Sequence, residues 1–210
     1  MSQEEGAAAP RRGRPRSEKA REAVLGAAAE LLLARGLGAV SMDAVAEQAG
    51  VSKATIYRWW PTKETLALDA LHHEWAVARP AAEGTGSLRN DLLSLLRPWV
   101  RLVGKRPYGR VIAALITEAQ TDPAFAELYI ERFVEPRRAQ VRPILLRAIE
   151  RGELPATTNT ELALDLLYGP LYHRLLHAHA PLNERFLREL VDTVLAGLAT
   201  SQASPANGRS

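Results

Sequence analysis

A chain of 210 residues, 47% of them hydrophobic and none of them cysteine, can fill a core but cannot carry a disulfide framework, a thiolate zinc site or a thiol redox switch. Its 27 Lys and Arg against 24 Asp and Glu leave a formal charge of +3, too little to argue for an anionic partner by itself. The charge is placed rather than abundant: residues 1–78 balance, yet Arg11, Arg12, Arg14, Arg16, Lys19 and Arg21 face only Glu18. The N-terminus MSQEEGAAAP lacks the apolar stretch of a secretory signal, and no segment approaches the roughly 20 apolar residues of a membrane span. A soluble, cytoplasmic protein without a membrane partner is expected.

Valine, leucine and alanine recur at three- and four-residue spacing, and alternating strand-like runs are missing, so the chain is predicted to be all-α. After a disordered basic arm over 1–16, Ser17 is placed to cap a helix whose Val24, Ala27, Ala28, Leu31 and Leu32 form one stripe, with Gly36 at its exit. Ser41 caps a helix of about two turns that Gly50 stops. Ser52 caps another running to about Trp60, and a long helix starts after Pro61. Beyond RPAAEGTGS, helices are predicted over 88–104, 107–121, 123–133, 136–151, 160–178 and 183–199, with a break or kink near Glu135 where Pro136 follows, and a frayed tail over 201–210.

Two short helices joined by a tight turn, AVAEQAG-VS-KATIYRWW, have the layout of a helix-turn-helix, whose second helix lies in the DNA major groove. Gly50 can take a positive φ, Val51 can plug the gap, and Ser52 restarts the chain. At about 100° per residue, Ile56 and Trp60 point inward together, Trp59 reaches the border, and Ala54, Tyr57 and Arg58 face outward. By pattern alone, an αα-hairpin with a solvated face fits as well.

From about Ser17 to Leu68 the chain resembles the N-terminal domain of the TetR/AcrR family of bacterial transcriptional regulators, through AAAELLLARGLGAVSMDAVAEQAGVSKATIYRWWPTKETL. The resemblance implies a DNA-binding domain over 17–62, linked by a helix over 62–79 to a regulatory and dimerisation domain over 80–200. It also implies a homodimer on a palindromic double-stranded operator, released by a small-molecule effector. Carried over by position, Lys53, Ala54 and Tyr57 are base-facing, while Ser41, Thr55, Trp59 and Lys63 are phosphate-contacting, with Trp59 departing from the family's commoner histidine or tyrosine. Arg12, Arg14 and Arg16 resemble arms that enter the minor groove; a solubilising tail is the alternative.

The segment LALDLLYGPLYHRLLHAHAPLNERFLRELVDTVLAGL reads as two amphipathic helices around a turn and resembles the C-terminal region of one TetR subgroup. Dimerisation is assigned there, with Leu164, Leu167, Leu171, Leu175, Leu187, Val191, Val194 and Leu198 as interface or core residues. Trp99, Tyr108, Ile112, Leu115, Tyr129, Phe133, Tyr168 and Tyr172, along with Phe125, either line an effector cavity or simply form core. His173 and His177, one turn apart and near His179, could share a metal, but neither a HExxH pattern nor a cysteine supports it. No cofactor is expected. Nucleophile elbows, P-loops and GxGxxG turns are absent, so a helical enzyme or metal-binding protein is the weaker alternative to a regulator, as is a DNA-binding protein with no effector.

Overall fold

The computed structural model of the protein describes residues 14–77, 84–104 and 106–200. Ten α-helices follow one another among the described residues, and no strand. They are α1 (Arg14–Arg35), α2 (Met42–Ala49), α3 (Lys53–Tyr57), α4 (Lys63–Val77), α5 (Leu88–Val103), α6 (Arg106–Thr121), α7 (Pro123–Tyr129), α8 (Glu135–Glu150), α9 (Thr160–His177) and α10 (Glu184–Thr200). None of them is long and apolar enough to cross a membrane.

The caps follow from side-chain chemistry. Ser41 accepts from the Ala44 N–H at 3.1 Å, Asp122 from Ala124 at 2.9 Å, and Asn159 from Glu161 and Leu162, each at 3.1 Å. Gly36 (φ 83°) and Gly50 (φ 66°) close α1 and α2 in the left-handed half of φ space, where a side chain would be strained. Two boundaries differ from expectation. The first helix begins at Arg14, so Ser17 lies inside it rather than at its cap, and the end of the basic arm is helical. The second is α3, which ends at Tyr57, because Pro61 keeps Trp60 out of the helical region and the chain tightens into a turn. There the Trp59 and Trp60 N–H groups both bond to the Ile56 carbonyl, at 2.9 and 3.0 Å.

Near Glu135, where a break or kink is expected, the chain stays helical but changes its winding. A π-helical turn over Ile130–Val134 joins α7 to α8, and the Glu135 N–H reaches back to the Ile130 carbonyl. Pro136, which lacks an N–H, falls at the start of α8, where the wider turn accommodates it. The turn also solves a phasing problem. Phe125, Tyr129, Phe133, Arg137 and Val141 are all buried and are spaced four apart. In an α-helix four residues overshoot one turn by about 40°. Such a column would drift off the core, whereas a turn that winds fewer degrees per residue holds it inward.

In the N-terminal unit, α1 lies on α2 and α4 and buries Val24, Ala28, Leu32, Ile56, Trp60 and Leu66. In the larger unit α5 packs on α8 and α10, and α6 packs on α5, α7 and α9. The two units meet where α4 touches α7 and the π turn and where α1 touches α6.

Candidate nucleic-acid interface and effector cavity

α3 is held by its buried side. Ile56 is fully buried and Trp60 is 1% exposed, whereas Lys53, Ala54, Tyr57 (53% exposed) and Arg58 face solvent. The Ser52 hydroxyl accepts from the Thr55 N–H at 3.3 Å and shares a hydrogen bond with the Thr55 hydroxyl at 2.9 Å, which sets the first turn of α3. Trp59 stands at the border, half-buried, edge-on to Trp60 (5.6 Å between ring centroids) with the Arg58 guanidinium 4.8 Å from its ring. Lys63, at the start of α4, lies 3.7 Å from Glu64. Arg12 lies outside the described residues. Arg14 and Arg16 belong to α1.

Lys53 is in contact with Asp43 of α2, and the hydrogen bond and charge of that carboxylate raise the lysine's pKa. Asp43 thus competes with any anion for Lys53, a restraint that the sequence pattern did not suggest. Asp43→Asn is expected to tighten DNA binding by roughly two- to fivefold, the scale of an exposed ion pair, with a steeper salt dependence. Fluorescence anisotropy across a salt series is the check.

Behind α3, one carboxylate ties three elements together. The Trp60 indole N–H donates to Asp69 Oδ2 at 2.8 Å, and Arg132 of the π turn donates to Asp69 Oδ1 and Oδ2 at 3.2 and 3.3 Å. A second tie joins Tyr108 of α6 to Glu74 of α4; burial and this hydrogen-bonded carboxylate raise the tyrosine's pKa.

The expected effector residues divide into two groups. Trp99, Tyr108, Ile112 and Phe133 surround a void of only about 10 Å³, and Leu115 is fully buried, so these five serve as packing. Tyr129, Tyr168 and Tyr172 instead line a cavity of about 270 Å³ with Ile116, Val134, Arg137 and Arg138. Arg137 was missed: in the arginine-rich EPRRAQVR nothing local distinguishes it from Arg138, yet it is 6% exposed. Its guanidinium donates to the Phe133 carbonyl and lies 3.4 Å from the Phe133 ring centroid.

The residues expected at the interface or in the core lie in the chain's own core. Leu164, Leu167, Leu171, Leu187, Val191 and Val194 are buried within the chain, and Leu175 and Leu198 are packed against the same core. The large hydrophobic residues α9 leaves exposed are Leu162, Leu166 and Leu176, on its opposite face. The rings of His177 and His179 pack against that of His173, at 4.7 and 4.9 Å between centroids, and no group of three or more His, Cys, Asp or Glu among the described residues is arranged to hold a metal ion.

Two short capped helices joined through a left-handed glycine, with an exposed polar second helix on a helical body, define a helix-turn-helix DNA-binding protein. The comparisons with known proteins agree. Residues 24–70 match the family model described as bacterial regulatory proteins, tetR family, and residues 82–194 the tetracyclin repressor-like C-terminal domain. The chain is 39% identical over 194 residues to the uncharacterized HTH-type transcriptional regulator YdeS of Bacillus subtilis (strain 168), spanning 92% of this chain and 97% of that protein. It is 32% identical over 183 residues to the DNA-binding transcriptional repressor TetR of Mycobacteroides abscessus, spanning 86% and 94% of the two chains. The crystal structure of the TetR family transcription regulator SCO0332 superposes with a TM-score of 0.75 at 37% identity, covering 85% of this chain and 98% of that one. The chain belongs to the TetR family and is a DNA-binding transcriptional regulator.

Proposed function

We propose that the protein is an effector-responsive repressor that grips a palindromic operator as a homodimer and leaves it when a small molecule occupies the cavity beside the π turn. The observation that carries this reading is the Asp69 bridge. Its carboxylate is held by Trp60, just past α3, and by Arg132, between the cavity-lining residues Tyr129 and Val134. A ligand that binds better to a conformer with α3 wrongly placed shifts the population off DNA, by no more than its differential affinity for the two states.

In this reading Lys53, Ala54 and Tyr57 face bases, and Ser41, Thr55, Trp59 and Lys63 hold phosphates; Arg12, Arg14 and Arg16 extend the contact into the minor groove. The Ser41 oxygen already caps α2, which leaves its hydroxyl hydrogen for a phosphate. The dimer uses the exposed face of α9. Leu162, Leu166, Gly169, His173 and Leu176 recur every four or three residues, and an open groove of about 570 Å³ runs beside them toward Phe186 of α10.

Selection from a random DNA pool is expected to return a two-fold symmetric site. On that site Tyr57→Ala lowers specific affinity by about 1–3 kcal/mol, whereas Lys63→Ala weakens all sequences alike and reduces the salt slope by about one. Unchanged affinity in both variants rejects the docking mode. A regulator without an effector is separated by screening for compounds that raise the melting temperature and also release the operator.

A further inference from the structure

The cavity beside the π turn is walled mainly by apolar and aromatic groups: Ile116, Val134 and the rings of Tyr129, Tyr168 and Tyr172. Into this wall are set two arginines with different surroundings. Arg138 is held from the protein side by Asp165, Glu161 and Glu135, so its charge is offset. Arg137 sits deeper, over the Phe133 ring, with tyrosines around it: Tyr168 donates to the Arg137 carbonyl at 3.1 Å, and Tyr129 is hydrogen-bonded to Tyr172.

Placing a cation behind an apolar cavity costs solvation that an entering anion can return, and guanidinium presents a planar fork of donors matched to a carboxylate. From this geometry we propose that the cavity is the site of a small organic anion, an aromatic or alicyclic monocarboxylate held by Arg137, with a tyrosine hydroxyl orienting it and the tyrosine rings covering its apolar body. The proposal rests on the effector-responsive reading and names the chemical class of that effector. The protonation states fit. Burial pulls Arg137 down to about 10, with the tyrosine oxygens acting the other way, so it is cationic at neutral pH. Burial also raises Tyr129, Tyr168 and Tyr172, which therefore keep their protons; Tyr168 gives its own to the Arg137 carbonyl, and the Tyr129–Tyr172 pair retains one O–H for a ligand. A volume of about 270 Å³ falls just below the ~300–1,000 Å³ typical of ligand sites, room for one or two fused rings rather than a long acyl chain.

The test is calorimetric titration of the full chain at neutral pH with matched pairs that differ in charge and hardly in shape: benzoate against benzamide, and 2-naphthoate against 2-naphthamide. At least one carboxylate is expected to bind roughly tenfold or more tightly than its amide. In Arg137→Met, which keeps most of the side-chain volume, the pair should bind equally. Parity in the wild-type protein, binding by no carboxylate, or a preference that survives Arg137→Met each overturns the proposal. Where Arg137→Met does not fold, the wild-type acid-against-amide comparison decides alone. Adding each compound to the complex with the pool-selected operator separates the two readings. A carboxylate that binds through Arg137 but leaves the complex intact supports the site and removes the effector reading. Neutral amides that release the operator as well as the acids do keep that reading and overturn this one.

Discussion

Trp60→Ala is expected to destabilise the protein by about 3–5 kcal/mol, the range for truncating a buried aromatic. The indole is 1% exposed, lies edge-on to Trp59, has the Arg21 guanidinium 5.9 Å from its ring, and donates to Asp69. Alanine removes that packing and the hydrogen bond together. Domains of this kind are stable by about 5–15 kcal/mol, so the variant approaches its threshold. Trp60→Phe separates the contributions: most of the ring volume stays while the N–H is lost, and a smaller cost of about 1 kcal/mol is expected. Urea unfolding followed by far-UV circular dichroism measures both. A loss under about 1 kcal/mol for Trp60→Ala means that the ring does not anchor α3.

Leu166→Glu is the variant expected to affect DNA binding most. On the proposed interface it puts a carboxylate at the centre of a stripe whose leucines, Leu162, Leu166 and Leu176, are 52%, 43% and 42% exposed in the isolated chain. Burying an unpaired charge between two copies disfavours the dimer, while the exposed position spares the fold of each copy. Losing the second half-site contact should lower operator affinity by about 10²–10⁴-fold. Sedimentation velocity should show a monomer of unchanged helicity. A variant that stays dimeric with full operator affinity places the interface elsewhere. Leu167→Ala, fully buried on the other face of α9, serves as the contrast, lowering stability while leaving the oligomeric state intact.

The helices and the DNA-binding unit were legible because they depend on local rules. Ser41, Ser52 and Gly50 announce their caps by residue type, and the 3.6-residue period alone sends Ile56 and Trp60 inward and Tyr57 outward. What could not be read locally depends on partners distant in the chain. Leu164 and Leu162 are equally apolar, and only the tertiary packing decides which meets the chain's own core and which is left outside. Arg137 and Arg138 are adjacent and identical in type, yet one turns under the tyrosines and the other out to Glu161 and Asp165. A faint signal existed. Phe125, Tyr129 and Phe133 recur every fourth residue, and extending that column reaches Arg137 rather than an apolar side chain. A polar residue in a buried row is the mark of a site worth inspecting.

The wide turn between Tyr129 and Glu135 leaves the chain sensitive to length there. Deleting one residue from Ile130–Val134 would let ordinary winding carry the chain through, about four residues then spanning the angle that five span now, so that the following helix keeps its facing. Tyr129 and Arg137 would then stand seven residues apart, about two turns, and share a face as before, while Arg132, carried by the turn itself, would shift against Asp69. A single-codon loss in this stretch would thus loosen the fastening at Asp69 while sparing the facing of α8.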